Sequence, residues 1–342
     1  MFKSINYSDL KGNFALIDVR SPMEYEEATI PGAINIPIFE NEERKEIGYV
    51  YVNENVDKAK YLGVQAVSKK LPYIYSELNK LDKEYEKLIL FCARGGMRSS
   101  SLCVLLTTLG LNTYKLSGGY KAYRGYINEM LPKENEKVKY IVLHGKTGVG
   151  KTKLLYSLKK NGMDVLDLEE AANHRGSLLG SVGLEGKRSQ KYFESLIYNS
   201  LFQRKSNFIF VEGESKRIGN IIIPECIYNN MEEGMHILVD ADIEYRCELI
   251  LKEYTSKENS KADILQSLDL LGKYISNKNI IKYKNLVAHD QYYEAAKELM
   301  LKYYDPMYLN SIKKYNYELQ LNITDIEECS VEIIKWAKED FK

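Results

Sequence analysis

The stretch YIVLHGKTGVGKT, Tyr140 to Thr152, decides how the chain is read. Tyr140 to His144 is a short apolar run of the kind that a buried parallel strand shows. It leads directly into Gly145, Lys146, Thr147, Gly148, Val149, Gly150, Lys151 and Thr152, and the following KTKLLYSLKKNG has leucines one turn apart before a Gly162 stop. Strand, glycine-rich loop and helix, in that order, is the context in which GxxxxGKT carries meaning. Backbone N–H groups from Gly148 to Thr152 are expected to surround a phosphate, Lys151 to neutralise its oxygens, and Thr152 to hold a magnesium ion. Further strands are expected at Asp164–Leu168, at Asn207–Val211 and in HILVDAD, which gives an α/β core. The segment NFIFVEGES ends in Glu212 and Glu214 where an aspartate is usual, so Glu212 either positions a metal or water or caps a turn.

Working outward, the 342 residues are long enough for two domains. Charges balance at 48 against 48, so any surface that binds nucleic acid has to be a local basic patch. The five cysteines form no CxxC pair and no dense framework, which argues against structural zinc and a disulfide-stapled fold and for a reducing compartment. No segment reaches the ~18 apolar residues of a membrane span, and the start lacks a leader-like apolar core, so a cytoplasmic, membrane-free protein is expected.

N-terminal to the phosphate loop, FALIDV (14–19), AINIPI (33–38) and KLILFC (87–92) read as strands, with helices expected at SPMEYEEA and SELNKLDKEY. LPKENEKVK (131–139) is charged, contains proline and reads as a linker, placing one domain at 1–132 and the next at 133–342. From about Ala262 the chain has helical spacing and reads as a helical tail.

At the end of KLILFC stands the string CARGGMR, with Cys92, Arg94, Gly95, Gly96 and Arg98, leading to a helix start near Ser99. Two glycines allow the backbone to curl its N–H groups inward, and a helix N-terminus closes the ring, so the loop favours an anion. The same field favours Cys92 as the nucleophilic thiolate. Cys103, inside the apolar SLCVLLTTLG, reads as core packing. In the second half, ANHRGS and GESKRIGN place His174, Arg175, Ser177, Ser215, Lys216, Arg217 and Gly219 after strand-like segments, where loops of a parallel sheet line the ligand crevice. With Lys187, Arg188 and Lys191 they offer a local basic surface.

Asp18-Val19-Arg20, ATIPGAIN (28–35), CARGGMR (92–98) and LSGGY (116–120), in this order, resemble a rhodanese, or sulfurtransferase, domain. The resemblance implies a cysteine at position 92 that takes up a chalcogen; many relatives carry a His where this chain has Thr29, a structural position. A rhodanese domain followed by a phosphate-loop domain, with ANHRGS, VEGESKRIG and YYDP (303–306) as further markers, resembles the tRNA 2-selenouridine synthase family. This implies an α/β fold with an N-terminal rhodanese-like parallel sheet and a P-loop NTPase-like domain with a helical C-terminal region. It also implies exchange of sulfur for selenium at a wobble 2-thiouridine of tRNA, with selenophosphate and geranyl diphosphate as co-substrates, no tightly bound cofactor, and a selenophosphate synthetase as donor supplier. By the same resemblance Lys151 stabilises a diphosphate leaving group and Cys92 serves selenation, through a perselenide, by activating selenophosphate or by assisting loss of phosphate. Arg94 and Arg98 hold the anion or depress the thiol pKa, and His174, Arg175, Lys216 and Arg217 contact tRNA or phosphate. Competing readings are a sulfurtransferase fused to a small-molecule kinase and a non-enzymatic RNA-binding protein.

Overall fold

The computed structural model describes residues 3–340 apart from 177–179, 181–183, 185 and 256–259. The chain divides into two compact units, 1–131 with 194–196, and 132–193 with 197–342.

The first unit is built on strands β1 (Lys3–Ile5), β2 (Phe14–Asp18), β3 (Ile34–Asn35), β4 (Lys87–Phe91) and β5 (Thr113–Leu116). They form one parallel sheet in the order β1-β5-β4-β2-β3. Helices α1 (Pro22–Glu27), α2 (Asn41–Asn53), α3 (Val56–Leu81), α4 (Met97–Thr108) and α5 (Gly119–Asn135) supply the crossovers and carry the chain onward. The central strands β2 and β4 have four of five residues buried, and Ile17, Leu88 and Leu90 pack with Leu78, Leu102 and Leu106 into one core. With every strand parallel, the loops after β2, β4 and β5 emerge on one edge. Asp18, Arg20, Cys92 and the Ser117–Gly119 turn meet there.

The second unit carries β6 (Lys139–His144), α6 (Lys151–Lys160), β7 (Val165–Leu166), α7 (Leu168–Ala172), α8 (Gln190–Gln203) and β8 (Phe208–Glu212). A two-stranded ribbon follows, β9 (Arg217–Ile218) with β10 (Ile221–Ile222), and then α9 (Glu225–Glu232) and β11 (Met235–Asp240). Helices α10 (Ile243–Tyr254), α11 (Ser260–Leu270), α12 (Asn277–Ala288) and α13 (Tyr292–Leu299) form a helical region with a π-helical turn at Met300–Tyr304 and α14 (Asp305–Ile312). The chain returns through β12 (Leu319–Asn322) and α15 (Ile326–Asp340). The sheet is parallel with order β12-β11-β6-β8-β7, so β6 lies between the strands that follow it in either direction, a topological switch point. Ile141, Leu143, Leu154, Leu158, Phe210, Val239 and Ile333 fill its core, while Leu268, Tyr283, Val287 and Leu299 belong to a separate helical cluster.

Two expectations change. The expected linker is helical as far as Asn135, because α5 continues through Pro132, and Asn135 is buried with its amide on the Cys226 carbonyl (2.8 Å) and its Oδ1 accepting from Tyr140 (2.8 Å). The C-terminal tail is not wholly helical: Leu319–Asn322 completes the sheet beside β11. Among the described residues no helix is long and apolar enough to cross a membrane.

Candidate active site

In the first unit Cys92 follows β4 immediately and its residue is 3% exposed. Its surroundings are polar: Sγ lies 3.2 Å from the Ser99 hydroxyl and 3.9 Å from the Gly96 carbonyl. Burial by itself raises a thiol pKa. Here the Ser99 hydroxyl and amide, the Arg98 charge and the Arg94 amide outweigh burial and hold Cys92 below the ordinary thiol value. Cys103 shows the opposite balance, raised by burial although its sulfur is hydrogen-bonded with Thr113 and Thr107.

The loop keeps its shape through the glycines of LSGGY. Gly95 sits at φ +62° and Gly119 at φ +59°, and a Cβ on Gly119 would stand 2.2 Å from the Cys92 carbonyl oxygen. That contact lets Tyr120 N–H and Lys121 N–H bond the carbonyls of Cys92 and Ala93, both at 2.9 Å. Asp18 and Arg20 are structural: they pair through two oxygens, Arg20 donates to the Ala28 carbonyl (2.7 Å), and its guanidinium lies over the Tyr120 ring (4.3 Å). Thr29 donates to the Asp18 carboxylate (2.8 Å), which gives its hydroxyl a definite place in the scaffold.

Of the two roles expected of Arg98, holding the anion or depressing the thiol pKa, its surroundings favour the second. Its guanidinium makes a two-pronged pair with Glu24 (2.6 and 3.1 Å), the residue whose carboxylate also accepts from Ser21 N–H and caps α1. The fork is already engaged, so Arg98 acts on the thiol through space. Arg94 is exposed, and its amide is the group that bears on Cys92. Glu24 had no signal in the motif, because only the fold carries it across 74 positions.

In the second unit Gly145–Thr152 wraps the N-terminus of α6. Gly148 (φ +80°) and Gly150 (φ +94°) take left-handed backbone that a side chain resists, and Gly150 caps the helix. A Cβ on Gly145 would meet the Val239 carbonyl at 2.4 Å, while Val149 is a buried core contact. Lys151 Nζ donates to the Gly145 carbonyl (3.0 Å), folded over the loop. Lys146 pairs with Asp240 (2.9 Å), so of the two loop lysines it is committed to the sheet edge. Arg246, 2% exposed, donates to the Thr147 carbonyl (2.9 Å) and pairs with Asp305 through both nitrogens. This explains the aspartate of YYDP: it fixes the loop through a buried arginine that stands outside every motif.

Beside the loop four carboxyls converge. Glu212 closes β8 at 1% exposure and accepts from Glu169 N–H (2.7 Å), and Glu169 accepts from the Thr152 hydroxyl (3.2 Å). Gly176 leaves room for the carboxyls of Glu214 and Glu169, since a Cβ there would meet both within 2.7 Å. Burial, then the neighbouring acids, pushes Glu169 up to about 8 against the pull of Lys151. Burial, then Asp167 and Glu169, raises Glu212 far above the carboxylate range; Asp167 and Glu214 are raised as well, burial again leading. Glu212 thus caps the start of α7 and belongs to a proton-holding cluster. Asp167 and Glu169 were not foreseen, although both precede ANHRGS by only a few residues. Thr152 and Glu169 are hard oxygen donors of the kind magnesium takes alongside phosphate, and among the described residues no group of three side chains forms a protein-only metal cage.

His144, last residue of β6, holds a 2.9 Å contact to His236 and lies against Tyr315. Burial first, then His236 and Lys151, pushes His144 down to about 3, a neutral ring at physiological pH. Among the basic candidates, His174 packs its ring on Gly219, so ANHRGS and GESKRIGN do meet. Arg175 lies over the Tyr254 ring (5.0 Å), Lys216 is near Glu225 (3.6 Å), Arg217 is exposed, and the Ser215 hydroxyl bonds the Arg217 carbonyl (2.7 Å). Arg188 lies over Tyr192 (4.9 Å). Ser177 lies outside the described residues.

A parallel-sheet domain with a thiol in a glycine loop, followed in the same chain by a phosphate-loop α/β domain, defines a rhodanese fused to a P-loop protein. Residues 6–126 match the Rhodanese-like domain, and residues 138–340 match the family described as tRNA 2-selenouridine synthase AAA domain. The chain is 29% identical over 288 residues to the tRNA 2-selenouridine synthase of Nitrosomonas europaea, covering 81% of this chain and 73% of that one. It is 29% identical over 334 residues to that of Hydrogenovibrio crunogenus (88% and 90%) and 32% over 267 residues to that of Psychromonas ingrahamii (77% and 72%). The chain belongs to the tRNA 2-selenouridine synthase family.

Proposed function

We propose that this chain is a tRNA-modifying enzyme that exchanges the sulfur of a 5-substituted wobble 2-thiouridine for selenium from selenophosphate, through an S-geranyl intermediate made from geranyl diphosphate. The observation that carries this reading is that both loops of the two-domain family pattern are complete: the thiol loop at Cys92 and the cradle ending in Lys151 and Thr152. In the first step the thione sulfur bonds to C1 of geranyl diphosphate, the C1–O bond breaks with its electron pair on the diphosphate, and the pyrimidine gives up its N3 proton. Lys151 and the loop amides take the charge that develops on the leaving group. Thr152 and Glu169 would hold a magnesium ion, which supplies further charge neutralisation when bound. In the second step the selenium of selenophosphate bonds to C2 while the C2–S bond breaks, and the geranyl thiolate takes a proton and leaves as geranyl thiol, an exit the unalkylated thione lacks; water then cleaves the Se–P bond, which releases phosphate and leaves 2-selenouridine with its N3 proton restored. Cys92 is assigned to this step.

Exposed Lys216 and Arg217 are assigned contacts to tRNA phosphates, with His174 seating their loop on Gly219. Arg175 and Ser215 support the same segments, and a selenophosphate synthetase is the expected source of the donor. The test is incubation of full-length protein with 2-thiouridine tRNA, geranyl diphosphate and selenophosphate, followed by nucleoside mass spectrometry. Cys92→Ser should give no 2-selenouridine and let S-geranyl-2-thiouridine accumulate; normal 2-selenouridine from that variant would refute the assignment.

A further inference from the structure

Between α10, α11, α12, α13 and the π-helical turn lies a cleft of about 70 Å³, lined by Thr147, Ile250, Leu268, Val287, Ala295 and Met300 among others. Two of these tie it to the phosphate loop. Thr147 is a loop residue, and Ile250 lies so close to Gly148 that a Cβ there would come within 2.9 Å of its Cδ1. The neighbouring Arg246–Asp305 pair fixes the Thr147 carbonyl and the first residue of α14, so the loop and the wall of the cleft are held by one buried ion pair. The wall includes a π-helical turn, Met300–Tyr304, a form that concentrates at functional sites.

The cleft's chemistry is one-sided. Among the described residues the lining is aliphatic and aromatic apart from Thr147 and Thr255 and contains no Asp, Glu, Lys or Arg, while the adjoining loop presents amides and Lys151. A ligand matching both parts has a polyanionic head and a hydrocarbon body. One water needs roughly 10–15 Å³ of such space, so about 70 Å³ gives room for a handful of carbon-sized groups, which suits the end of a branched hydrocarbon chain. We infer that this cleft receives the terminal part of the isoprenoid tail of an allylic diphosphate whose head sits on Gly145–Thr152. The inference rests on the phosphate-donor reading of that loop and adds to it the place and size limit of the tail. On this reading the helical region measures chain length while the loop recognises charge.

The test is calorimetric binding to the full chain of four probes: inorganic pyrophosphate, and the dimethylallyl, geranyl and farnesyl diphosphates. Burying several methylenes should make geranyl diphosphate bind at least tenfold more tightly than pyrophosphate. Farnesyl diphosphate should gain nothing further. Ala295→Phe fills the cleft and should erase the geranyl advantage while pyrophosphate affinity holds within about twofold. Equal binding of geranyl diphosphate and pyrophosphate to the unaltered chain, or an advantage that survives Ala295→Phe, would overturn the inference. If Ala295→Phe disturbs folding, Leu268→Ala decides: the enlarged cleft should shift preference toward farnesyl over geranyl diphosphate by threefold or more, and an unshifted ratio counts against it. ATP binding weakened tenfold by Ala295→Phe, with geranyl diphosphate unaffected, would give the cleft to a nucleoside and also overturn it. Absence of pyrophosphate binding would strike the loop reading alone, because the cleft is judged by the response of geranyl diphosphate itself.

Discussion

The Cys92 loop and the Gly145–Thr152 loop share a plan, a glycine turn between a central parallel strand and a helix N-terminus, yet they treat acids in opposite ways. Around Cys92 several donors converge on one acid: the Ser99 hydroxyl, two amides and the charge of Arg98, so the thiol ionises more readily than usual although it is buried. Around Lys151 four acids converge on few donors, so Glu169, Glu212, Glu214 and Asp167 keep their protons more tightly than usual. Burial is comparable in kind, and the ratio of donors to acids sets the sign. The first loop therefore favours the ionised form of its acid, and the cluster beside Lys151 favours the protonated form of its acids.

The harshest way to break this contrast is Lys151→Ala, which removes the main positive group at the carboxyl cluster. Geranyl transfer is expected to fall by about 10²–10³-fold, the range for loss of a preorganised charge-stabilising group, in a single-turnover assay on 2-thiouridine tRNA. An unchanged rate would detach the loop from the chemistry. A smaller effect follows at the thiol. Ser99→Ala takes away a hydrogen bond to the charged form, so the midpoint of Cys92 alkylation by iodoacetamide against pH should rise. A midpoint that does not move would assign the depression to the amides and Arg98.

The mildest test concerns stability. The folded pKa of Glu169, about 8, lies above the ~4.3 of a free glutamate, so between these values the folded chain holds a proton that the unfolded chain has lost. The associated stability is fully present below the lower value and is lost as pH rises through the higher one. Melting temperature should decline from pH 5 to pH 8.5, and Glu169→Gln should make that decline shallower by a few degrees. An identical slope would show that Glu212 and its other neighbours carry the proton.

Much of this was legible in the residues. The apolar runs at 14–19, 87–92 and 140–144 and the segment HILVDAD (236–242) supply central strands because they are buried on both faces, which leaves a continuous hydrophobic signature. β12 escaped notice because LQLN alternates at an edge, with only half its residues partly buried, inside a stretch of helical spacing. The charges of LPKENEKVK resemble those of a linker, yet Asn135 is buried and hydrogen-bonded to partners five and 91 positions away.

Sequence alone determined both loops, since a turn needing positive φ and bare amides can be made only by glycines at set spacing, and the strand before each is short-range apolar patterning. Tertiary structure decided which charges remain available. Arg98 is bound to Glu24, Lys146 to Asp240 and Arg246 to Asp305, while Asp167, Glu169, Glu212 and Glu214 crowd together. Such pairings join residues tens of positions apart, and electrostatic energy depends on distance through space and on the exclusion of water, neither of which is written in the local order of residues.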